Sequence, residues 1–483
     1  MPPRFKELYK PRPTNSDVRQ RRLLHESQLR QLQREQMFMG KRLRLRTPQE
    51  SETESEYEFT PSTTSALVAG LQSTNRDERI AALANLSTRL EQPSHELRTY
   101  VETGSCMDVI TRVLAASDAE ATLQALWCLT NIAGGEPRMA ERALEAAPNV
   151  VSLVESQSVE LQNQAIWALG NMAAEGERAR NQLHANGVVD AIVDVVKTTR
   201  DALVLQTACF ALSNLARKPS AFFAYLFDLC VPQAVAQQLR VFGGDAECVA
   251  ELAWVCVYLS ASSSASQIDA IVASGAVDLL VEYATKSNVG SATLIPIIRM
   301  LGNIAAGTDA QTHALASNPL FVTLLVRSIE STSSRAVEKE ALWVLSSVTA
   351  GSSDDVDIMV RAGVVSDLVR IIGTQNFDIR KEAAYSLLNI AIVGQRTSDL
   401  PNRDLAPHFV EFIACQDEEL VRMGVQYVAL LFEHLPNRQG PKLLSKVAGA
   451  IDVLENLIAI TPDDETRSLV SALIDDYYAE LSL

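Results

Sequence analysis

The tryptophans of this chain share one position in a recurring pattern. Trp127 precedes Asn131 by four residues, Trp167 precedes Asn171 in the same way, and the other two Trp lie at the same place in their own segments. Residues four apart lie on one face of an α-helix. An indole face attracts cations and packs on Lys or Arg methylenes, and an Asn amide both donates to and accepts from a peptide backbone. The pattern predicts a stripe that binds an extended basic peptide.

A structural interpretation competes with this one, in which the Trp side chains are core and the Asn amides bond within the fold. The occurrence of all four Trp of the chain on a single stripe favours ligand binding. The stripe comprises Gln124, Trp127, Asn131, Gln164, Trp167, Asn171, Thr207, Phe210, Asn214, Glu251, Trp254, Tyr258, Arg299, Asn303, Glu340, Trp343, Ser347, Glu382, Tyr385 and Asn389.

The segments that carry the stripe recur throughout most of the chain. Their equivalent positions fall at 85, 131, 171, 214, 258, 303, 347, 389 and 431, so the steps are 40 to 46 residues long. This period is typical of armadillo and HEAT repeats, which contain two or three helices each. Gly-led amphipathic segments lie between them, and no comparable strand alternation occurs. We therefore expect an all-α, right-handed armadillo-repeat superhelical solenoid of about 9–10 repeats.

The charge divides the chain into an arm and a body. Residues 1–47 hold 13 Lys and Arg against 4 Asp and Glu, whereas the remainder has a net charge of −25. Residues 1–46 are interpreted as a basic helical arm, with a charged helix over 16–40. Residues 47–64 are rich in Ser, Thr, Glu and Pro and predict a disordered linker. The solenoid then covers 65–483, with an atypical last repeat at about 440–483.

Several function classes are excluded. A net charge of −16 and 6% aromatic residues argue against nucleic-acid binding. The 7 Cys include no CxxC pair and are interpreted as mostly buried, in a reducing compartment. The chain shows no signal peptide and no apolar run near the roughly 20 residues that cross a bilayer, so no membrane contact is expected.

Catalysis is also disfavoured by the absence of the relevant motifs. The 6 His lack metal-ligand spacing, and neither a phosphate-binding loop nor a GxSxG motif occurs. We therefore expect no enzyme activity, no metal and no cofactor.

At these residues the sequence resembles the importin-α (karyopherin-α) family, the adaptors for basic nuclear localisation signals. The similarity covers almost the whole chain and is most specific at GNIAAGTDAQT (302–312). WALGNMA (167–173), LTNIAGG (129–135) and KEALWVLSSVTAG (339–351) resemble other repeats of that family. SLVSALIDDYYAE (468–480) resembles its closing repeat, and the basic arm resembles its importin-β-binding domain.

The resemblance implies roles for individual residues. A major binding groove would use Trp127, Asn131, Gly135, Gln164, Trp167, Asn171, Glu175, Phe210, Asn214, Arg217, Glu251 and Trp254. A minor groove would use Arg299, Asn303, Glu340, Trp343, Glu382, Tyr385 and Asn389. Importin-β would bind Arg19, Arg21, Arg22, Arg30 and Arg34, and an autoinhibitory cluster would comprise Lys41, Arg42 and Arg44. The implied partners are importin-β, cargo with basic localisation signals and a recycling exportin, with shuttling between cytoplasm and nucleus.

Four positions depart from the family pattern. Phe210 and Tyr385 stand where the family has Trp, Ser347 replaces an Asn, and Ala140 replaces a Thr that helps hold a key Lys. A divergent paralogue with weakened cargo binding is therefore an alternative. A second alternative is an armadillo scaffold similar to β-catenin, whose groove is typically basic and binds acidic partners. The acidic body favours basic partners instead.

Overall fold

The computed structural model describes residues 61–481, apart from 262, 287, 331–333, 375, 394–404 and 436–438. The predicted arm, most of the predicted linker, and the arm residues assigned to importin-β binding and autoinhibition lie outside the described residues. Helix α1 begins at Pro61, four residues before the predicted start of the solenoid. A Pro is favourable in the first helical turn because it has no N–H to leave unpaired.

The described residues form two compact units, 61–283 and 284–481, built from helices with no strand among them. The first unit repeats a set of two shorter helices followed by a longer one. Its helices are α1 Pro61–Leu71, α2 Arg76–Arg89, α3 His95–Thr103, α4 Cys106–Leu114, α5 Ala119–Ala133, α6 Pro137–Ala143, α7 Ala147–Val151, α8 Val159–Ala173, α9 Glu177–Ala185, α10 Val188–Thr198, α11 Ala202–Leu215, α12 Tyr225–Asp228, α13 Val231–Phe242, α14 Ala246–Ser260, α15 Ala265–Ala273 and α16 Ala276–Ala284.

The second unit has the same alternation of shorter and longer helices. Its helices are α17 Ser291–Ala305, α18 Asp309–Ala316, α19 Pro319–Glu330, α20 Arg335–Thr349, α21 Ser353–Arg361, α22 Val364–Thr374, α23 Phe377–Val393, α24 Ala406–Ile413, α25 Glu418–His434, α26 Gln439–Leu444, α27 Ala450–Ile460 and α28 Asp464–Leu481. The expected all-α armadillo fold class is confirmed.

The longer helices of each unit pack side by side in a row: α2, α5, α8, α11 and α14 in the first unit, and α17, α20 and α23 in the second. Most begin at a polar N-cap whose side chain accepts from a backbone N–H of the first turn. Asp118, Ser158 and Asp201 do so for α5, α8 and α11. These caps satisfy otherwise unpaired donors and define where each row helix starts.

The core lies on the helix face that the sequence predicts. Leu126 and Leu129 of α5 and their counterparts Ile166 and Leu169 of α8 are almost completely buried. Five of the seven Cys are buried too, and burial raises the pKa of the Cys256 thiol to about 12. A protonated, enclosed thiol packs as a small apolar side chain.

Candidate peptide-binding site

The stripe residues of the first unit lie on four neighbouring row helices. Each of α5, α8, α11 and α14 carries an aromatic residue, followed four positions later by Asn on the first three helices and by Tyr on α14. We call this set the first stripe; it comprises Trp127, Asn131, Trp167, Asn171, Phe210, Asn214, Trp254 and Tyr258. The second stripe lies on α17, α20 and α23 of the second unit and comprises Arg299, Asn303, Trp343, Ser347, Tyr385 and Asn389.

Asparagine amides of the stripes join four of the row helices, α5, α8, α11 and α23, to the row helix before each of them. The Nδ2 group donates to a backbone carbonyl about 40 residues earlier, and we call these bonds the amide ladder. The pairs are Asn131 to Ser87 O at 2.9 Å, Asn171 to Thr130 O at 3.0 Å, Asn214 to Gly170 O at 3.1 Å and Asn389 to Ser346 O at 3.0 Å.

The ladder sets the register between repeats and corrects one predicted position. In three of its bonds the acceptor immediately precedes the stripe position of the earlier helix, as Gly170 precedes Asn171. By the same rule the acceptor Ser87 assigns the first repeat's position to Thr88. The prediction of 85 is therefore wrong by three residues. Asn85 resembles the other stripe residues in type, but its exposed side chain accepts from Arg89 of its own helix.

The aromatic residues of the first stripe fall into two groups. Trp127 and Trp167 are partly exposed, whereas Phe210 is only 3% exposed and stacks on Trp167 with ring centroids 5.5 Å apart. A Cβ atom at Gly170 would lie 2.9 Å from the Phe210 ring, so that ring rests on the backbone of α8. Phe210 therefore fills the space beside Trp167, and Trp127 and Trp167 are the pair best placed to hold a cationic side chain.

The remaining residues assigned to the major groove lie near this pair. Gln164 is buried and donates to the Thr130 hydroxyl at 2.7 Å, so it links α8 to α5. Glu175 is partly exposed just after α8, and Gly135 is partly exposed just after α5. Ala140, which stands where the family has a Thr, is fully buried. Its methyl group occupies the place at which the family pattern predicts a hydroxyl.

Arg217, Glu251, Trp254 and Tyr258 lie further along the first unit. Arg217 and Glu251 are partly exposed. Trp254 and Tyr258 are each 5% exposed, and their ring centroids are 6.3 Å apart on α14. This end of the first stripe is therefore more enclosed than the Trp127–Trp167 pair.

A buried arginine that the sequence interpretation missed holds two of these loops together. Arg180 is 4% exposed and donates to Ala173 O at the end of α8 and to Pro219 O after α11, the latter at 2.8 Å. Burial, and secondarily the nearby charge of Arg217, lowers the pKa of Arg180 to about 10. Arg180 thus positions the segments that carry Glu175 and Arg217. The signal that could have identified it is a cation between Ala179 and Leu183, the two apolar residues that are buried with it in this helix.

The second stripe is organised differently from the first. Arg299 forms an ion pair with Glu340, and their side chains are only 5% and 11% exposed. Trp343 is 5% exposed and lies directly against Gly302, where an added Cβ atom would clash with the indole. Glu382 is buried, while Asn303 and Tyr385 are partly exposed. The structure therefore brings together the residues assigned to the minor groove, with Arg299 and Glu340 already neutralising each other.

Membrane-spanning helices and clusters of metal-ligating side chains are both absent from the described residues. None of the helices in the described ranges combines the length and apolarity that crossing a membrane requires. Within the same ranges, no group of three or more His, Cys, Asp or Glu side chains is arranged to hold a metal ion.

Comparison with known proteins agrees with the repeat architecture. A family model described as a HEAT-like repeat matches residues 159–215. The crystal structure of an engineered protein superposes with a TM-score of 0.72 at 25% identity, covering 85% of this chain and 98% of that one.

Two curated relatives match most of the chain. Importin subunit alpha-9 of Arabidopsis thaliana is 30% identical over 424 residues, which is 83% of this chain and 80% of the relative. Importin subunit alpha-2 of Oryza sativa subsp. japonica is 30% identical over 432 residues, with coverages of 83% and 79%.

The fold and its stripes define an armadillo-repeat protein of the transport or scaffold class, which is not enzymatic. Within that class, the chain belongs to the importin-α family.

Proposed function

We propose that this protein is a nuclear import adaptor whose first stripe binds the basic nuclear localisation signals of cargo proteins. In this proposal the arm recruits importin-β through Arg19, Arg21, Arg22, Arg30 and Arg34. The adaptor then moves between cytoplasm and nucleus and is returned by a recycling exportin.

The observation that carries the proposal is the state of the stripe amides. Asn131 and Asn214 use Nδ2 in the amide ladder, while their Oδ1 atoms are buried and accept no hydrogen bond from the described part of the chain. A buried acceptor without a donor is unfavourable and calls for an explanation. The N–H groups of an extended peptide are donors of the required kind, and the peptide must displace the atoms that cover these two oxygens in order to reach them.

The spacing of the row helices supports the same ligand. Packed helices lie roughly 8–10 Å apart, and an extended peptide spans that distance in about three residues at roughly 3.3 Å each. A side chain of every third peptide residue therefore reaches an equivalent position in the next repeat. Trp127 and Trp167 provide such equivalent positions, with the carboxylate of Glu175 on the loop after α8.

The charge of the body favours a basic ligand over an acidic one. Residues after 47 have a net charge of −25, and the second stripe's Arg299 is paired with Glu340. A scaffold that binds acidic partners needs a basic surface. Stronger binding of an acidic peptide than of a basic one would favour the scaffold alternative.

The test is to titrate a fluorescent Lys- and Arg-rich peptide into the full chain and into the Trp127→Ala and Trp167→Ala variants. Each variant should bind about tenfold more weakly, or about 1.4 kcal/mol, because the stacking surface for a cationic stem is lost. Tyr478→Ala is the matched control, since Tyr478 is an exposed aromatic residue outside both stripes. Unchanged affinity in variants that melt like the native chain would show that the stripe is structural.

A further inference from the structure

The chain between α11 and α13 takes an irregular course. We call residues 217–230 the strap; they contain turns and the four-residue helix α12, Tyr225–Asp228. At the equivalent place, the neighbouring repeats have the nine-residue helices α9 and α15. A helix as short as α12 is not stable by itself, so contacts with the rest of the first unit determine where the strap lies.

Two contacts fasten the strap to α9. The Ala221 N–H donates to Asn181 Oδ1 at 3.1 Å. One residue later, the Phe222 ring stacks on the imidazole of His184, with ring centroids 4.6 Å apart. Because Asn181 and His184 are three residues apart, they lie on the same face of α9. Phe222 is buried, so its ring is the apolar anchor of the strap on this face.

A third contact reaches α10. The Tyr225 hydroxyl donates to Asp190 Oδ1 at 2.7 Å. Hydrogen bonds that a carboxylate accepts are stronger than those between neutral groups. This hydrogen bond raises the pKa of Tyr225, so the hydroxyl keeps the proton that it donates. The strap is consequently held by both α9 and α10, through residues that belong to neither stripe.

Arg180 of α9 joins the strap to the end of α8. Its guanidinium donates to Pro219 O in the strap at 2.8 Å and to Ala173 O at the end of α8 at 3.3 Å. Ala173 is two residues before Glu175, and Pro219 is two residues after Arg217. Because the guanidinium is planar and its donor directions are fixed, it sets the separation of these two segments.

The charge of Arg180 and its geometry have opposite effects on a basic ligand. The side chain is buried, and the nearby charge of Arg217 contributes, after burial, to the lowering of its pKa. A cation close to Arg217 repels the Lys and Arg side chains of a peptide, so its removal by itself should strengthen binding. Loss of the two carbonyl contacts should weaken binding, because the segments that carry Glu175 and Arg217 are then free to shift. The sign of the change in affinity therefore distinguishes the two effects.

We propose, building on the proposed function, that Arg180 is a positioning residue for the basic peptide and that the strap supports it. By holding the segments that carry Glu175 and Arg217, Arg180 keeps these two side chains where a bound peptide meets them. His184 and Tyr225 hold the strap in place, and they thereby affect peptide affinity without contacting the peptide.

The test measures binding of a fluorescent Lys- and Arg-rich peptide to the full chain by stopped flow, which gives the association and dissociation rates. Arg180→Lys keeps the positive charge but loses the planar donor geometry, and Arg180→Met loses both. Each variant should bind about fivefold more weakly than the native chain, mainly through faster dissociation. A charge effect would instead change mainly the association rate and its salt dependence.

A conservative variant tests the strap itself. Tyr225→Phe removes only the hydroxyl that bonds to Asp190, and it should weaken peptide binding by about twofold. Tyr478→Phe is the matched control, because Tyr478 donates in the same way to Glu455 at 2.9 Å in the second unit. The control should bind the peptide like the native chain. This pair decides the question if the Arg180 variants fail to fold.

Amide hydrogen exchange in the absence of peptide supplies a readout that does not depend on the proposed function. Exchange within 217–224 should be faster in Tyr225→Phe and in both Arg180 variants than in the native chain, because the strap opens more often. Tyr478→Phe should leave exchange within 217–224 unchanged. Thermal melts of all variants check that the fold is intact.

The outcomes separate this inference from the proposed function. If the native chain binds no basic peptide, the proposed function fails and the inference fails with it. If the native chain binds the peptide and a folded Arg180→Met binds it equally or more tightly, the inference alone fails. Equal peptide affinity of Tyr225→Phe and Tyr478→Phe would likewise overturn the role of the strap.

Discussion

Trp343 depends on the absence of a side chain at position 302. The indole lies so close to the backbone of α17 that a Cβ atom on Gly302 would overlap the ring. Gly170 and Phe210 form a looser version of the same contact in the first unit, at 2.9 Å. In both places a glycine next to a stripe position lets an aromatic ring of the following row helix rest on the backbone.

Gly302→Ala should destabilise the chain by about 1–3 kcal/mol, because the ring must move out of a packed position. This loss opposes the helical preference for Ala over Gly, which is about 1 kcal/mol. Gly373→Ala is the matched control, since Gly373 also lies in a helix of the second unit and its nearest neighbour is an ordinary contact at 3.8 Å.

Urea unfolding of both variants measures the effect. The urea midpoint of Gly373→Ala should equal that of the native chain or rise slightly. The urea midpoint of Gly302→Ala should fall. A Gly302→Ala chain as stable as the control would mean that Trp343 repacks at no cost.

At the scale of the elements, the amide ladder sets the position of a row helix along the axis of the row helix before it. Each ladder bond joins equivalent heights of two neighbouring helices, so the stripe residues line up instead of drifting along the row. The acceptor carbonyls lie within helices and, as at Thr130 and Gly170, are buried. A buried hydrogen bond contributes about 1 kcal/mol net, and an unpaired buried group costs about 1–3 kcal/mol.

Asn131→Ala should therefore lower the free energy of unfolding by about 1–3 kcal/mol. Asn85→Ala should change it by less than about 0.5 kcal/mol, because Asn85 is exposed and outside the ladder. Denaturant titration of the two variants compares the same substitution at two positions that the sequence alone treats as equivalent. Equal destabilisation would contradict the register assigned from Ser87.

At the scale of the whole molecule, opposite charges lie on one chain. The segment 1–47 holds 13 Lys and Arg against 4 Asp and Glu, and the rest of the chain has a net charge of −25. Covalent attachment gives one segment of a chain an effective concentration near millimolar at a site on the same chain. The Lys41–Arg44 cluster should therefore compete with cargo for the first stripe until importin-β captures the arm.

Replacing Lys41, Arg42 and Arg44 by Ala should tighten binding of a basic peptide by about fivefold, near 1 kcal/mol, in the absence of importin-β. Linkage requires that cargo tighten importin-β binding by the same factor. The matched control replaces Arg4, Lys6 and Lys10, which removes the same charge elsewhere in the arm. Equal gains in the two triple variants would indicate a general charge effect, and no gain in either would show that the cluster does not compete.

The sequence by itself determined the fold class, the family and the stripe. Its period of 40 to 46 residues and its Gly-led second helices are local signals, and helical periodicity alone assigned Leu126 and Leu129 to the core. The stripe was visible because residues four apart share a helix face whatever the helix packs against.

Contacts between repeats were decided only by the tertiary structure. The step from Asn131 back to Ser87, the stacking of Phe210 on Trp167 and the pairing of Arg299 with Glu340 each join residues about 40 positions apart. No local pattern specifies which atoms meet across such a distance. One turn of helix is about 3.6 residues, so Asn85 and Thr88 share a face and only the packed neighbour distinguishes them. Arg180 was missed for the same reason, because its carbonyl partners include a loop 39 residues away.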